Sequence, residues 1–332
     1  MKIKIPESIL AALDYFIMFD PISLVLTLLV ALSGYATQQM VATDSPPWWE
    51  TGFDLTVFLA FLSVFLFAGG IFILNQINHK ENQVKTNHLS PIESGNINFK
   101  IAKKIAVIAL IVALAVLLLL QKLMLAAFVI IIILIRGLLH NFLQISKKEK
   151  GILWLVSNVI FANLLFLFGW LIKGTLDFNL WRYFAPYSFQ TVSLLILIFL
   201  LDGNKLYKSY KEGDKVVQMG ENRIMIWLSA ILAVSAFLLG LENNDPLISH
   251  SMLLSLVLYL FLIFKLDHLW IVRTISYSLL FFVFFISSQY PWFFLFAIIS
   301  YYVSKKYYSN RMDIEFPNFG SIEQTEVSDA KN

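Results

Sequence analysis

From Ile22 onward the chain is a succession of apolar runs, each close to twenty residues long and separated by short polar links. Roughly 17–25 apolar residues is the length an α-helix needs to cross the hydrocarbon core of a bilayer. Backbone polar groups find no water there, and a helix satisfies them internally. The runs are Ile22–Ala42, Leu55–Leu74, Ile101–Leu120, Leu123–Phe142, Ile152–Ile172, Phe184–Leu201, Ile224–Leu241 and Leu247–Phe264. The last stretch, Leu269–Val303, is either one long span or two short ones broken at Gln289–Trp292, where Pro291 interrupts a continuous helix. The expected fold is all-α, a polytopic integral membrane bundle of about nine transmembrane helices, or ten.

The rest of the composition agrees. Of 332 residues, 58% are hydrophobic and 14% charged, whereas a soluble domain is about a quarter charged. No room is left for a sizeable soluble domain. The absence of cysteine excludes disulfides and thiol chemistry. A net charge of +3 is too small to imply nucleic acid as a partner. Glu7, Asp14 and Asp20 interrupt the stretch where a signal peptide would be apolar. Residues 1–20 read instead as an interfacial helix with Pro6 near its first turn. Residues 21–308 form the transmembrane domain and 309–332 a polar tail.

Loop charge sets the expected orientation. Thr43–Asp54 and Glu242–Pro246 carry acids and no Lys or Arg, whereas Asn75–Lys104, Arg136–Lys150 and Asp202–Arg223 are basic. These alternate if the N-terminus is cytoplasmic, with Lys122, Lys173 and Arg182 as exceptions on the other side. The basic end of the last span (Lys305, Lys306, Arg311) lies inside only with ten spans. The membrane is the cell (inner) membrane if the chain is bacterial.

Two polar segments follow long apolar runs. In the first, Asn75, His79 and Gln83 are spaced four apart and share one face if the helix continues past Leu74. In the second, Tyr207, Tyr210 and Asp214 fall on one helical face. Both segments lie on the expected cytoplasmic side. The plain alternative is that they are solvated connections. Facing each other over an apolar bundle, they suit a ligand with a charged head and a long hydrocarbon tail.

The order of spans and the placement of these segments resemble the UbiA family of intramembrane prenyltransferases. That family carries Asn-Asp-x-x-Asp-x-x-x-Asp after its second span and Asp-x-x-Asp-x-x-Gly-Asp after its sixth. The first aligns with Asn75-Gln76-Ile77-Asn78-His79-Lys80-Glu81-Asn82-Gln83, and the second with Tyr207-Lys208-Ser209-Tyr210-Lys211-Glu212-Gly213-Asp214. Ser157-Asn158-Val159 resembles the Gly-Asn-Leu found near the start of the fifth span. The resemblance implies a prenyl diphosphate bound between the two segments with Mg²⁺, and transfer of its prenyl group to an acceptor. Asn75 is kept, but Gln76, His79 and Gln83 stand where the family has acids. Tyr207 and Tyr210 replace two more, leaving Gly213 and Asp214. Amides, tyrosines and neutral histidine are poor ligands for a hard dication. Glu81 and Glu212 offer substitute carboxylates, although Glu81 is turned about 120° around the helix from Asn75.

The resulting candidates for binding diphosphate or metal are Asn75, His79, Glu81 and Asp214, with Asn75 and Asp214 as the metal ligands. The basic candidates for contacting diphosphate are Lys80, Lys208, Lys211, Lys215 and Arg136, against the alternative that the lysines only reflect loop charge bias. Asn158, Tyr207 and Tyr210 are cavity-lining candidates, with interhelical hydrogen bonding as the alternative for Asn158. Two functions remain open: a prenyltransferase with a substituted head-group site, or an inactive protein of the same fold that binds a prenyl lipid or quinone or assists a true prenyltransferase. The expected partners are a prenyl diphosphate or other prenyl lipid and the bilayer, with no nucleic acid.

Overall fold

The computed structural model describes residues 6–42, 54–81, 90–92, 94–145, 152–176, 178–202, 219–266 and 268–311, without the side chains of 79–81, 137–145, 152, 179, 202, 219–222 and 268–269. Among these residues the chain forms eleven helices. They are α1 (Glu7–Ile17), α2 (Pro21–Ala42), α3 (Leu55–Glu81), α4 (Phe99–Leu119), α5 (Leu123–Ile145), α6 (Ile152–Leu171), α7 (Phe178–Asp202), α8 (Met219–Glu242), α9 (Pro246–Lys265), α10 (His268–Gln289) and α11 (Pro291–Arg311). Eight of them, α2–α4 and α6–α10, are long and apolar enough to cross a membrane. In α5 the apolar described part is the shorter Leu123–Arg136. The second half of α11 carries Lys305, Lys306 and Arg311.

The ambiguous last run is broken at Pro291. Tyr290 ends α10 by donating its N–H to the Ile286 carbonyl (3.0 Å). Pro291 then opens α11 at its first position, where a missing N–H costs nothing. Neither helix is short, because α11 runs on to Arg311. Its end packs against α1. Tyr307 donates to Asp14 Oδ1 (2.5 Å) and Arg311 to Asp14 Oδ2 (2.9 Å), and Arg311 also pairs with Glu7. Asp14 is buried with Leu10 and Ile17 on the inner stripe of α1. The start and finish of the bundle therefore meet at one end, the arrangement an even number of crossings produces.

Neighbours in sequence pack as antiparallel pairs, and α2 threads between them, touching α3, α6, α7, α10 and α11. Its most apolar window is 72% buried, against 28% for α4, so α2 is the central helix and α4 a lipid-facing one. Small residues let α2 and α6 cross closely. A Cβ on Gly34 would lie 2.0 Å from the Phe166 carbonyl oxygen, and one on Gly169 1.7 Å from that of Ala31.

α7 begins at Phe178, earlier than the apolar run at Phe184, and carries Pro186 inside it. A proline cannot bond the carbonyl four residues back, here that of Arg182. Asn243, in the α8–α9 turn, supplies the missing donor: its Nδ2 reaches the Arg182 carbonyl at 2.9 Å, and its Oδ1 accepts from Arg182 Nε at 2.6 Å. The three cations that broke the loop-charge pattern are all engaged at this far end. Besides Arg182, Lys122 donates to the Ile172 carbonyl (3.1 Å), and Lys173 pairs with Asp54 (2.5 Å).

Candidate functional site

The helix of the first polar segment continues past Leu74 to Glu81 because its apolar stripe continues. Ile73 and Ile77 are buried with Met18, Ile92, Ile97, Ala102 and Ala106. Asn75, half-buried, lies about 160° around the helix from Ile77, away from the face α3 packs on α4. His79 is one turn further along α3 with its backbone helical. The side chains of His79, Lys80 and Glu81 lie outside the described residues, as do Gln83 and all of Tyr207, Lys208, Tyr210, Lys211, Asp214 and Lys215.

Gln76 has a definite task. Its Nε2 donates to the Met18 carbonyl at 3.0 Å, tying the end of α3 to the α1–α2 corner. A carboxylate has no proton to give that carbonyl. The residue standing where the family has an acid is here a tether between helices.

Arg136 sits on α5 nine residues before the helix ends, about 13 Å along the axis. It is deeper in the helix than a span ending at Phe142 implies. Its guanidinium carbon lies 4.8 Å from the centre of the Phe161 ring on α6, within range of a cation–π contact. Its Nε is buried with no hydrogen-bond partner among the described residues. Asn158 is one turn before Phe161 on α6. Asn158 uses its Nδ2 on the Trp154 carbonyl of its own helix (2.7 Å) rather than on a neighbouring one. Asn163 does the same with Val159 (2.9 Å).

The described donors do not fit a divalent cation. Asn75, Asn78, Asn158 and Gln76 offer only neutral amide oxygens, that of Gln76 being buried without a partner among the described residues while its Nε2 holds Met18, and Arg136 repels a cation. Among the described residues no group of three His, Asp or Glu could hold a metal.

No protein-family model and no curated protein matches the chain. Solved structures do. A digeranylgeranylglyceryl phosphate synthase superposes with a TM-score of 0.58 at 18% identity, over 84% of this chain and 98% of its own. Two structures of a UbiA homolog from Archaeoglobus fulgidus, one bound to GPP and Mg²⁺ and the other to DMAPP and Mg²⁺, give TM-scores of 0.56 and 0.55 at 14% and 16% identity, each over 86% of this chain and 99% of theirs. This chain has the UbiA fold. It is an integral, multi-pass membrane protein.

The sequence reading has Asn75 on a helix that continues past Leu74, and α3 does run on to Glu81. Two polar features escaped it. One is the Gln76 tether, whose partner is a backbone carbonyl 58 residues away. The other is a buried group at the far end. Asp245, read as one acid of the Glu242–Pro246 connection, is buried and caps α9 through Oδ1, which accepts from Leu247 N (3.0 Å) and Ile248 N (3.2 Å). The Asp-Pro pair was the available signal: an acceptor at the N-cap followed by proline at the first helical position.

Proposed function

We propose that the chain is a membrane prenyltransferase that moves a prenyl group from a prenyl diphosphate to an acceptor, using a head-group site built on basic and amide side chains. The observation that carries the reading is the fold likeness over most of the chain to structures bound to GPP or DMAPP. Arg136 supports it, as a cation held between α5 and α6 with an uncommitted N–H. In this reading Asn75, His79, Arg136 and the lysines Lys80, Lys208, Lys211 and Lys215 receive the diphosphate, with Glu81 and Asp214 beside them. Asn158, Tyr207 and Tyr210 line the cavity, and the tail lies among the apolar helices. The bond between prenyl C1 and the diphosphate oxygen breaks, and the electron pair leaves with the diphosphate. Arg136 and the lysines stabilise the added charge. The acceptor's nucleophile then bonds C1 and releases a proton. Both polar segments are cytoplasmic in this reading.

A second reading, favoured by the replaced acids, is a protein of the same fold that holds a prenyl lipid or quinone without transferring it, or that assists a true prenyltransferase. The test is the full chain in lipid nanodiscs with isotope-labelled prenyl diphosphates of several lengths and a panel of acceptors, in Mg²⁺ and in EDTA. Transfer to any acceptor establishes the enzyme. Saturable binding without transfer establishes the second reading. Absence of binding in both buffers overturns both. Mg²⁺ remains the metal to supply, since the solved relatives hold it, and binding retained in EDTA is the result the described donors favour.

A further inference from the structure

Of the eight helices long enough to cross the membrane, α4 is the least covered by its neighbours. One stripe of it, Ala102, Ala106, Ala109, Ala113 and Leu117, is buried. These residues recur at spacings of three and four and so lie on one side of the helix. The outward side changes character along its length. Lys100, Lys103 and Lys104 are exposed at the start, and the exposed Val107, Ile108 and Ile111 follow. Lys100, Lys104, Ile108 and Ile111 make one line, with Lys103 and Val107 in a second beside it. From Ile105 to Leu119 the helix carries no charge, a length of about 21 Å, against ~30 Å for a whole hydrocarbon core.

Among the described residues nothing neutralises the three lysines. None of them is in an ion pair, and the described carboxylates at this end are committed elsewhere, Glu7 and Asp14 to Arg311 and Asp20 to Ser23. Nor do the lysines serve the helix itself. They stand in its first two turns, where the helix dipole disfavours cations, and the first turn has no acid. The cap is supplied by Asn98, whose side chain accepts from the Lys100 N–H at 2.9 Å. At the same end of the bundle α11 treats its cations differently: Arg311 is spent on the acids of α1, and Lys305 lies over the Tyr301 ring.

We propose that this face of α4 is a binding site for an anionic phospholipid of the surrounding bilayer. Lys100, Lys103 and Lys104 hold its phosphate, and its acyl chains lie along Val107, Ile108 and Ile111. The order of groups along the helix selects this occupant. A soluble anion would use the lysines and leave the aliphatic lines idle, and a neutral lipid would do the reverse. An anionic lipid uses both, with each lysine adding to the attraction. Such a site needs no prenyl substrate and is independent of the proposed transfer.

The chain has no cysteine, so a single fluorophore can be placed on it. The test is the full chain carrying labelled Ile108→Cys, in phosphatidylcholine vesicles with a minor share of either phosphatidylglycerol or phosphatidylcholine brominated in its chains. Brominated phosphatidylglycerol should quench as though enriched beside the label about fivefold, the weight of one lysine at an anionic surface, and the excess should shrink in high salt. Replacing all three lysines (Lys100→Gln, Lys103→Gln and Lys104→Gln) should abolish it, whereas Lys305→Gln with Lys306→Gln should leave it. The same label at the exposed Leu253→Cys on α9 should show no preference between the lipids. If the triple variant does not fold, the salt dependence and the α9 label still decide. Equal quenching by the two lipids at Ile108→Cys, an excess that survives loss of the three lysines, or one as large at Leu253→Cys would overturn the site. So would displacement by inorganic phosphate at matched ionic strength, since the lysines would then be holding a free anion.

Discussion

Arg136 and Arg182 are both arginines set in apolar helices, and their surroundings differ. Arg182, near the start of α7, is interlocked with Asn243 in both directions, donating from Nε and offering its carbonyl. Arg136, on α5, rests on the Phe161 ring and keeps a buried N–H without a partner among the described residues. An arginine in a membrane helix is costly and is kept for a reason. The contrast separates two reasons. At the far end cations are spent on the protein itself, closing turns and carbonyls that helix geometry leaves open. Near the polar segments a cation is held in place with hydrogen-bonding capacity to spare, which is what an anionic head group needs.

Removing the interlock should have the largest effect. Asn243→Ala leaves the carbonyl freed by Pro186 and the Nε of Arg182 without their partner, and is expected to cost about 2–3 kcal/mol. Denaturant unfolding in detergent would measure it, and affinity for a prenyl diphosphate should be unaltered. Arg136→Gln should do the reverse, weakening binding of a prenyl diphosphate about tenfold, or ~1.4 kcal/mol, with the unfolding midpoint nearly unchanged. If Arg136→Gln destabilises the fold as much as Asn243→Ala and leaves binding intact, the distinction between the two arginines is wrong. The smallest effect is expected at the exposed Lys173–Asp54 pair. The Lys173 hydrogen bond and the Val57 N–H hold the Asp54 carboxyl below its usual range. Its contribution is present above about pH 3.9 and is lost as pH falls below that. Asp54→Asn should cost under about 1 kcal/mol at neutral pH, measured by the same unfolding assay.

The length and spacing of apolar runs made the helices legible, because a bilayer imposes one length on every span. What escaped were features set by partners distant in sequence. Arg182 and Pro186 hid the start of α7, since nothing local reveals that Asn243 satisfies the carbonyl the proline frees. Asp245 read only as one acid of the Glu242–Pro246 connection, and nothing local shows that it is buried. In the candidate site, residue types could be read but their commitments could not. Gln76 beside Asn75 gave no sign that its Nε2 would donate to the Met18 carbonyl. Asn158 gave none that it would bond its own helix.

The close crossing of α2 and α6 also bears on where the proposed prenyl substrate would enter. With carbonyls lying where a Cβ of Gly34 or Gly169 would be, that seam cannot part without losing contacts along both backbones, and it behaves as a fixed keel. Under the proposed function, a lipid tail entering sideways from the bilayer would have to pass between other helices. The lightly touching pair α4 and α5, with lipid-facing Ile108, Ile111 and Leu134, borders such a route.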